Sequence, residues 1–330
     1  MQWLSLLYAS QLRVPDSGRG VETEQPSASS QFAVIEAPSN LGLRPPETGA
    51  VPGADKSPAA LREAGLQEHL RGMGGREAGV VLAGRYLPDF DSGAVRNQTA
   101  LIDHSRRLGR RIGQYVDARQ RILVLGGDCS ILLGAALGLR SRGRFGLVHI
   151  DGHTDFRHPG NSASFGSLAG EDLAAAVGLH LPQISDIDGL GPYFRPDDTV
   201  HLGCRDNDEH LEECRTLLAD TVTAREWLAD PTRAAEAIQA VTNRPGLAGT
   251  WVHVDVDVLD PEVLPAVDSP DPGGVEARHL AGLLAKLWPI CVGLQVCVFD
   301  PDLDPTGKQA LLLASILIEA IDESETTGCP

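Results

Sequence analysis

Residues 121–130 read RILVLGGDCS, and this stretch indicates the fold more directly than any other part of the chain. Its first half is apolar and rich in branched side chains, as expected for a strand that is buried on both faces of a sheet. A glycine turn follows, and residues 130–139 then have the apolar pattern of a helix. A strand that leads through a short turn into a helix is half of a βαβ unit, which indicates a parallel sheet.

Short apolar runs alternate with amphipathic segments along the rest of the chain, which predicts an α/β fold with a mainly parallel sheet of about eight strands. No repeat or linker divides it, so we expect a single domain over residues 32–322, preceded by a disordered extension (1–31) and followed by a flexible tail (323–330). The predicted strands are 32–36, 80–83, 121–125, 146–150, 199–203, 221–223, 250–255 and 292–299, and the predicted helices are 97–119, 130–139, 170–177, 231–242, 275–287 and 308–321.

The composition limits the classes of partner. The 330 residues include 28 Lys and Arg against 45 Asp and Glu, a formal net charge of −17, which argues against nucleic acid because phosphate binding needs a basic surface. No apolar run reaches the roughly 18 residues of a membrane span, and the first residues do not resemble a secretion signal. The six cysteines form no CxxC pair, which is typical of reduced thiols in a cytoplasmic protein.

Acidic residues collect directly after four of the predicted strands. They occur in GGDCS (126–130), DGHTD (151–155), DVDVLDP (255–261) and DPDLDP (300–305). Ligands bind at the carboxyl ends of strands in open α/β sheets. Each motif alone is explained by a solvated loop or a helix N-cap, where aspartate is favoured. Their joint occurrence favours a ligand site.

The acidic residues also alternate along the chain. Asp151, His153 and Asp155 would point to one side of an extended segment, as would Asp255 and Asp257. Carboxylates held this close repel one another unless a divalent cation lies between them. Carboxylate oxygen combined with one imidazole suits Mn²⁺, with Zn²⁺ or Fe²⁺ as alternatives. The sequence therefore predicts a metal site formed by these five residues.

The motifs resemble those of the arginase/agmatinase (ureohydrolase) family, whose signatures read GGDHS, DAHxD and SxDxDxxDP. The resemblance covers about residues 32–322 and implies a three-layer α-β-α sandwich that holds two Mn²⁺ ions. It implies that a metal-bound hydroxide attacks the guanidino carbon of arginine or a close relative, including N-omega-hydroxy-arginine, and releases urea or hydroxyurea plus an amine. It also implies a trimer or hexamer.

The resemblance assigns roles to the predicted ligands. Asp151, Asp155 and Asp257 would be shared by both ions. His153 and Asp255 would each bind one ion. Asp155 would also orient the attacking hydroxide, which makes it a candidate catalytic residue.

Cys129 stands where the family's first motif supplies a histidine ligand. A thiolate suits Zn²⁺ or Fe²⁺ better than Mn²⁺, and the start of the following helix is expected to favour the thiolate. Three alternatives follow: Cys129 is a ligand, the ion on its side binds weakly, or only one ion is held. A fourth is that the thiol merely fills space in the core.

His149 and His253 each precede a predicted aspartate ligand by two residues. Either could support a ligand or bind metal itself. A histidine inside a strand is more often a core residue with satisfied hydrogen bonds, and that interpretation is favoured for both.

The resemblance also implies residues that bind the substrate. Asp208 matches an aspartate that holds the substrate's α-amino group, which favours a free amino acid over agmatine. Arg157 could pair with the α-carboxylate, and Ser164 could contact the same group. The alternatives are that Asp208 is an ordinary loop acid and Arg157 a surface ion-pair partner.

Two further positions follow the family less closely. A loose alignment places Asp302, or else Asp300, against the guanidino group. The proton-shuttling histidine of arginases would fall near Ala169, which has no imidazole, so His158 is the nearest candidate. A hydroxyguanidine substrate would need less help from a shuttle.

Two other functions remain open. The first is an agmatinase-like enzyme or a hydrolase of another guanidino acid. The second belongs to a different class, a metal-binding or oligomer-scaffold protein that has lost turnover. The cysteine at a ligand position and the missing shuttle favour the scaffold, whereas the intact set of aspartates argues against it.

Overall fold

The computed structural model describes residues 32–88 and 93–327. Within these ranges the chain forms one sheet of eight parallel strands, which confirms the predicted sheet. The predicted extension, 1–31, lies outside the described residues. The strands are β1 (Phe32–Ala37), β2 (Gly75–Val80), β3 (Arg121–Gly126), β4 (Gly146–Ile150), β5 (Thr199–Leu202), β6 (Asp220–Val222), β7 (Thr250–Asp255) and β8 (Gly293–Cys297).

The order of the strands determines what meets at the carboxyl edge. It is β2-β1-β3-β8-β7-β4-β5-β6, so β3, β8, β7 and β4 are consecutive at the centre. These are the four strands that precede the acidic motifs. The poorest prediction is β2, which ends at Val80 whereas residues 80–83 were expected. This edge strand is half exposed, which weakens its apolar signal.

Helices cover the sheet in a three-layer α-β-α sandwich, with α3 packed against α4 and α10 against α11. Among the residues that the structure describes, no helix combines the length and apolar character needed to cross a membrane. The helices are α1 (Ser57–Glu63), α2 (Leu66–Gly72), α3 (Gln98–Asp117), α4 (Leu132–Arg140), α5 (Asp172–Ala176), α6 (Pro182–Ser185), α7 (Leu211–Leu217), α8 (Ala224–Ala229), α9 (Pro231–Thr242), α10 (Ala277–Leu287) and α11 (Lys308–Thr327).

The helices differ from the prediction in two respects. The short helices α1, α2, α6, α7 and α8 were not predicted, because two turns or fewer give too few repeats for a helical period to stand out. The final helix α11 continues to Thr327, beyond the expected end at 321. Part of the tail expected to be flexible, 323–330, is therefore helical, and residues 328–330 lie outside the described range.

Candidate metal centre

A cavity of about 410 Å³ opens at the carboxyl ends of the central strands. Four of the predicted ligands line it, and the other two, Cys129 and Asp151, are wholly buried next to them. The structure therefore brings all six predicted ligands to one place. The four that line the cavity are His153, Asp155, Asp255 and Asp257.

Five of the six predicted ligands, all except Asp155, fall into two adjoining groups that share Asp151. In each group the donor atoms lie within 4.8 Å of one another. One group consists of Asp151 with Cys129 and Asp255, and the other of Asp151 with His153 and Asp257. Such an arrangement suits two cation positions with Asp151 between them.

The grouping differs from the role that the resemblance implied for Asp257. Asp255 lies in the group with Cys129 and Asp151, whereas Asp257 lies only in the group with Asp151 and His153 instead of being shared by both. The physical reason is that β7 ends at Asp255 and a 3-10 turn, Val256–Val258, follows. Extended alternation stops there, and the Asp257 carboxylate accepts hydrogen bonds from Gly152 N and His153 Nδ1, both at 3.0 Å.

Short turns hold the carboxylates in place. Asp151 Oδ1 accepts a hydrogen bond from His153 N at 2.7 Å, and Asp255 Oδ1 accepts one from Asp257 N at 2.8 Å. Asp155 has a φ of 47°, a left-handed conformation that is uncommon outside glycine and is often found at functional sites. Asp151 Oδ2 is buried and has no hydrogen-bond partner among residues 32–88 and 93–327.

The electrostatics show an excess of negative charge. Burial raises the pKa of Asp151, Asp155 and Asp255 well above the usual range, and neighbouring carboxylates raise each further. Burial also opposes the charged forms of Asp257 and His153, but their hydrogen bond outweighs it. That contact lowers the pKa of Asp257 and raises the pKa of His153 to about 10. The uncompensated carboxylates, the unpaired oxygen of Asp151 and the oxygen and nitrogen donors fit a divalent cation.

Cys129 does not have the predicted thiolate character in the metal-free protein. Burial, followed by the neighbouring Cys297 thiol and Asp255, raises the pKa of Cys129 well above its usual range. Its Sγ donates a hydrogen bond to Asp255 Oδ2 at 2.9 Å and lies 3.2 Å from Cys297 Sγ. The low dielectric and the adjacent acid therefore outweigh the field of the helix. A metal ion bound there would deprotonate the thiol.

A row of buried polar side chains crosses the sheet beside the candidate ligands. His201, His149, His253 and Gln295 occupy neighbouring positions on β5, β4, β7 and β8, and all four are wholly buried. The rings of His149 and His253 are stacked, with centroids 4.5 Å apart. Gln295 satisfies His253 Nδ1, but His149 Nε2 has no hydrogen-bond partner among the described residues. The expectation of fully satisfied core histidines is therefore wrong for His149.

Asp172 lies among these side chains, although no sequence pattern indicates it. It is the first residue of α5, and its carboxylate oxygens lie 3.5 Å from His149 Nε2 and 3.7 Å from His253 Nε2. The donor atoms of Cys129, Asp155 and Asp172 also lie within 4.8 Å of one another. A lone aspartate at a helix start carries no motif, and only the packing of α5 reveals its position.

Two of the predicted substrate residues line the cavity. Arg157 donates a hydrogen bond to Glu209 at 2.8 Å. Asp208 accepts hydrogen bonds from Thr154 N at 2.9 Å and from Thr154 Oγ1 at 2.6 Å. Opposite charges thus stand at the rim above the candidate ligands.

Ser164 and His158 do not line this cavity. Ser164 is exposed on the loop that follows β4. His158 Nε2 lies 3.1 Å from the Glu213 carboxylate, a contact that orients the ring towards α7. The predicted substrate contact of Ser164 and the proton-shuttle role of His158 are corrected accordingly.

Asp302 is likewise outside the cavity, and so is the alternative, Asp300. Asp302 forms an exposed ion pair with Lys56 at 2.5 Å, and Asp300 accepts a hydrogen bond from Gly53 N at 3.0 Å. The residue after β8 that does line the cavity is Val298, whose φ of 73° is unusual for a β-branched residue. The chain turns there and carries both acids away from the site.

Arg205 is a cavity-lining residue to which the sequence analysis gave no role. It is buried and donates hydrogen bonds to the backbone oxygens of Asp257 at 3.0 Å and of Asp271 at 2.6 Å. The guanidinium group thereby joins the loop after β7 to the loop that carries Asp208. A lone arginine in a loop has no pattern from which this role could be predicted.

The parallel sheet and the carboxylates at its central carboxyl edge define an α/β protein with a candidate metal site. The profile of the Arginase family matches residues 30–322, and the chain belongs to this family. Members are hydrolases that act on carbon–nitrogen bonds of linear amidines, and the family depends on a binuclear metal centre, typically of Mn²⁺.

Individual relatives agree with this assignment. The chain is 28% identical to the arginase of Bacillus caldovelox, over 80% of this chain and 91% of that one. It is 27% identical to the arginase of Bacillus subtilis, over 87% and 97%. The crystal structure of the Bacillus caldovelox arginase superposes with a TM-score of 0.78 at 26% identity, covering 88% of this chain and 98% of the other. Proclavaminate amidino hydrolase from Streptomyces clavuligerus shares the fold, with a TM-score of 0.65 at 24% identity over 91% and 93%.

Proposed function

We propose that the protein hydrolyses the guanidino carbon–nitrogen bond of arginine or a close relative such as N-omega-hydroxy-arginine, giving urea or hydroxyurea and an amine. One observation carries the proposal. Four of the candidate metal ligands and two side chains of opposite charge, Arg157 and Asp208, line the same cavity. A zwitterionic amino acid with a guanidino group at its far end matches that arrangement of charge.

The cofactor that we propose is a pair of Mn²⁺ ions. The group around Asp151, His153 and Asp257 offers oxygen and imidazole donors, which suit Mn²⁺. The group that contains Cys129 has a soft donor, so Zn²⁺, Fe²⁺ or a single Mn²⁺ ion are the alternatives. When bound, divalent ions lower the pKa of coordinated water and make a nucleophile available near neutral pH.

Side chains of the protein then orient the attacking water and bind the substrate. Asp155 lines the cavity beside the other ligands, where its carboxylate can accept a hydrogen bond from the attacking water. Asp208 would accept hydrogen bonds from the α-amino group of the substrate, and Arg157 would donate to its α-carboxylate. Agmatine lacks the α-carboxylate, so the contact with Arg157 favours the amino acid over agmatine as the substrate.

A hydroxylated guanidine is favoured by the residue that follows β8. The apolar Val298 lines the cavity, while Asp300 and Asp302 lie outside it. The hydroxyl group of N-omega-hydroxy-arginine withdraws electrons and lowers the basicity of the guanidine. A less basic substrate depends less on a negative partner at this wall and on a proton shuttle.

The experiment is urea and hydroxyurea release from the Mn²⁺-loaded full chain with arginine, N-omega-hydroxy-arginine, agmatine and 4-guanidinobutyrate. One charge-assisted contact contributes about 1.5 to 3 kcal/mol, or roughly 10- to 100-fold in kcat/KM. We therefore expect at least tenfold preference for the two amino acids, which Asp208→Asn and Arg157→Gln should reduce. Ser164→Ala, an exposed control outside the cavity, should leave it unchanged.

Other outcomes would point to other functions. Turnover of agmatine equal to or better than that of the amino acids would contradict the amino-acid assignment and favour an agmatinase-like enzyme. Absence of both bound metal and turnover after Mn²⁺ reconstitution would favour a scaffold protein. We further propose a homotrimer or homohexamer in the cytoplasm, as the resemblance implies, which light scattering and cell fractionation would test.

A further inference from the structure

Asp172 is a buried acid outside the ligand set that the sequence predicts. Its side chain is wholly buried at the start of α5. Among residues 32–88 and 93–327, neither carboxylate oxygen accepts a hydrogen bond that meets geometric criteria, and the nearest side-chain influence on the carboxylate is a second acid, Asp155. An unpaired buried carboxylate is strongly disfavoured unless a cation or a donor compensates it. A cation or a hydrogen-bond donor next to Asp172 would therefore stabilise its ionised carboxylate.

One side of the carboxylate faces the candidate metal centre. The donor atoms of Asp172, Asp155 and Cys129 lie within 4.8 Å of one another. Asp155 lines the cavity, and Cys129 also belongs to the group that contains Asp151 and Asp255. Asp172 thus adjoins the centre on its thiol side.

Two wholly buried imidazoles also lie close to the Asp172 carboxylate. His149 Nε2 lies 3.5 Å and His253 Nε2 3.7 Å from the Asp172 oxygens. Neither ring forms a hydrogen bond with the carboxylate.

The tautomer of His253 follows from its neighbours. The indole Nε1 of Trp251 can only donate, and it donates to Gln295 Oε1 at 2.9 Å. The amide nitrogen of Gln295 must then face His253 Nδ1, at 2.7 Å, and donate to it. The ring proton of His253 is therefore on Nε2, which points towards Asp172 and Cys297. His253 Nε2 therefore has no lone pair free for a metal.

We propose that Asp172 is a ligand of the ion on the Cys129 side, together with Cys129 and Asp155. The inference deepens the proposed function, because it rests on the metal centre proposed there. An oxygen donor from Asp172 supplies the hard anionic ligand that Mn²⁺ prefers, where the chain otherwise offers a thiol.

The test is the Asp172→Asn variant of the full chain, which retains shape and loses the charge. Equilibrium dialysis against graded Mn²⁺ gives stoichiometry and affinity, and electron paramagnetic resonance distinguishes spin-coupled ion pairs from isolated ions. We expect two coupled ions in the wild type. In the variant, the second ion should bind at least about tenfold more weakly, leaving the signal of isolated Mn²⁺.

Asp198→Asn is the matched control. Asp198 is also wholly buried, but its oxygens accept two hydrogen bonds from Arg144, at 2.6 Å each, and it does not line the cavity. Its variant should keep the Mn²⁺ affinity and the coupled signal of the wild type. Loss of the second ion in both variants would indicate a general effect of substituting buried aspartates and would overturn the inference.

Two outcomes separate this inference from the proposed function. Unchanged Mn²⁺ binding in Asp172→Asn, with urea release in the wild type, overturns the role of Asp172 alone. Two coupled ions in the wild type without turnover of any guanidino compound contradict the proposed function alone. If the variant does not fold, anomalous diffraction from Mn²⁺-loaded wild-type crystals decides. An ion about 2.2 Å from an Asp172 oxygen supports the inference, and an ion with no bond to Asp172 overturns it.

Discussion

Because carboxylates crowd together at the candidate metal centre, the effect of Asp151→Asn on the stability of the protein should depend on whether metal is bound. Asp151→Asn keeps the shape of the side chain and the Oδ1 atom that accepts a hydrogen bond from His153 N at 2.7 Å. The other oxygen has no partner among the described residues, so the amide nitrogen that replaces it breaks no hydrogen bond. We expect Asp151→Asn to stabilise the metal-free protein and to weaken the stabilisation by metal.

The magnitude follows from the spacing of the oxygens. Donor atoms of Asp151 and Asp255 lie within 4.8 Å of each other. At that distance, two ionised carboxylates repel by about 3.5 kcal/mol when the effective dielectric constant is about 20. Burial, followed by the charges of Asp155 and Asp255, raises the pKa of Asp151, so proton uptake relieves part of the repulsion in the wild type. The expected gain in free energy of unfolding is about 1 to 3 kcal/mol.

Metal should remove or reverse this difference in stability. At a free metal concentration 100 times the Kd, binding stabilises the wild type by about 2.7 kcal/mol. Asp151→Asn lacks the ligand common to both groups and should gain little. Thermal unfolding in EDTA and then in Mn²⁺ measures both effects, because each kcal/mol shifts the Tm of a chain of this size by about 2 °C.

The same thermal unfolding measurement, applied to a control variant, provides the result that would refute this prediction. Asp198→Asn should be destabilised in both buffers, because it disrupts the two hydrogen bonds from Arg144. If Asp151→Asn is destabilised equally with and without metal, as the control should be, the reasoning from crowded charge is wrong.

Three further predictions concern other parts of the molecule. Cys129→His should raise Mn²⁺ affinity, because imidazole suits that ion better than a thiol; equal affinities in a titration would mean that the thiol is not a ligand. Arg205→Lys should lower the free energy of unfolding by about 2 kcal/mol and weaken metal binding at least about tenfold, because lysine lacks the planar guanidinium group that holds the Asp257 loop. Unchanged values in chemical denaturation and in equilibrium dialysis would refute this prediction. Burial lowers the pKa of His104, so the folded state keeps the ring neutral while the unfolded state binds a proton below about pH 6.5. As the pH falls from 6 to 5, the free energy of unfolding of the wild type should therefore decrease relative to that of His104→Gln by up to about 1.4 kcal/mol per pH unit. Parallel pH profiles of the two proteins in unfolding experiments would contradict this prediction.

Much of the candidate site could be predicted because its residues follow buried strands in recognisable spacing. DGHTD and DVD are local patterns, and the six predicted ligands lie together, four of them lining the cavity and two buried next to it. Contacts made by longer loops could not be predicted in this way. Asp302 is directed to Lys56 and His158 to Glu213, because the conformation of each loop depends on what packs against it.

Residue patterns alone predict the alternation of strands and helices, the parallel sheet and the chemical types of the candidate ligands. Those features are local, since periodicity and residue type report burial and donor chemistry without reference to distant segments. The folded chain was needed to show that β3, β8, β7 and β4 are neighbours, that a 3-10 turn directs Asp257 to His153, and that α5 places Asp172 beside Cys129. These are contacts between segments far apart in the chain, and they follow from the packing of the whole domain because adjacency in a sheet leaves no mark on any one strand.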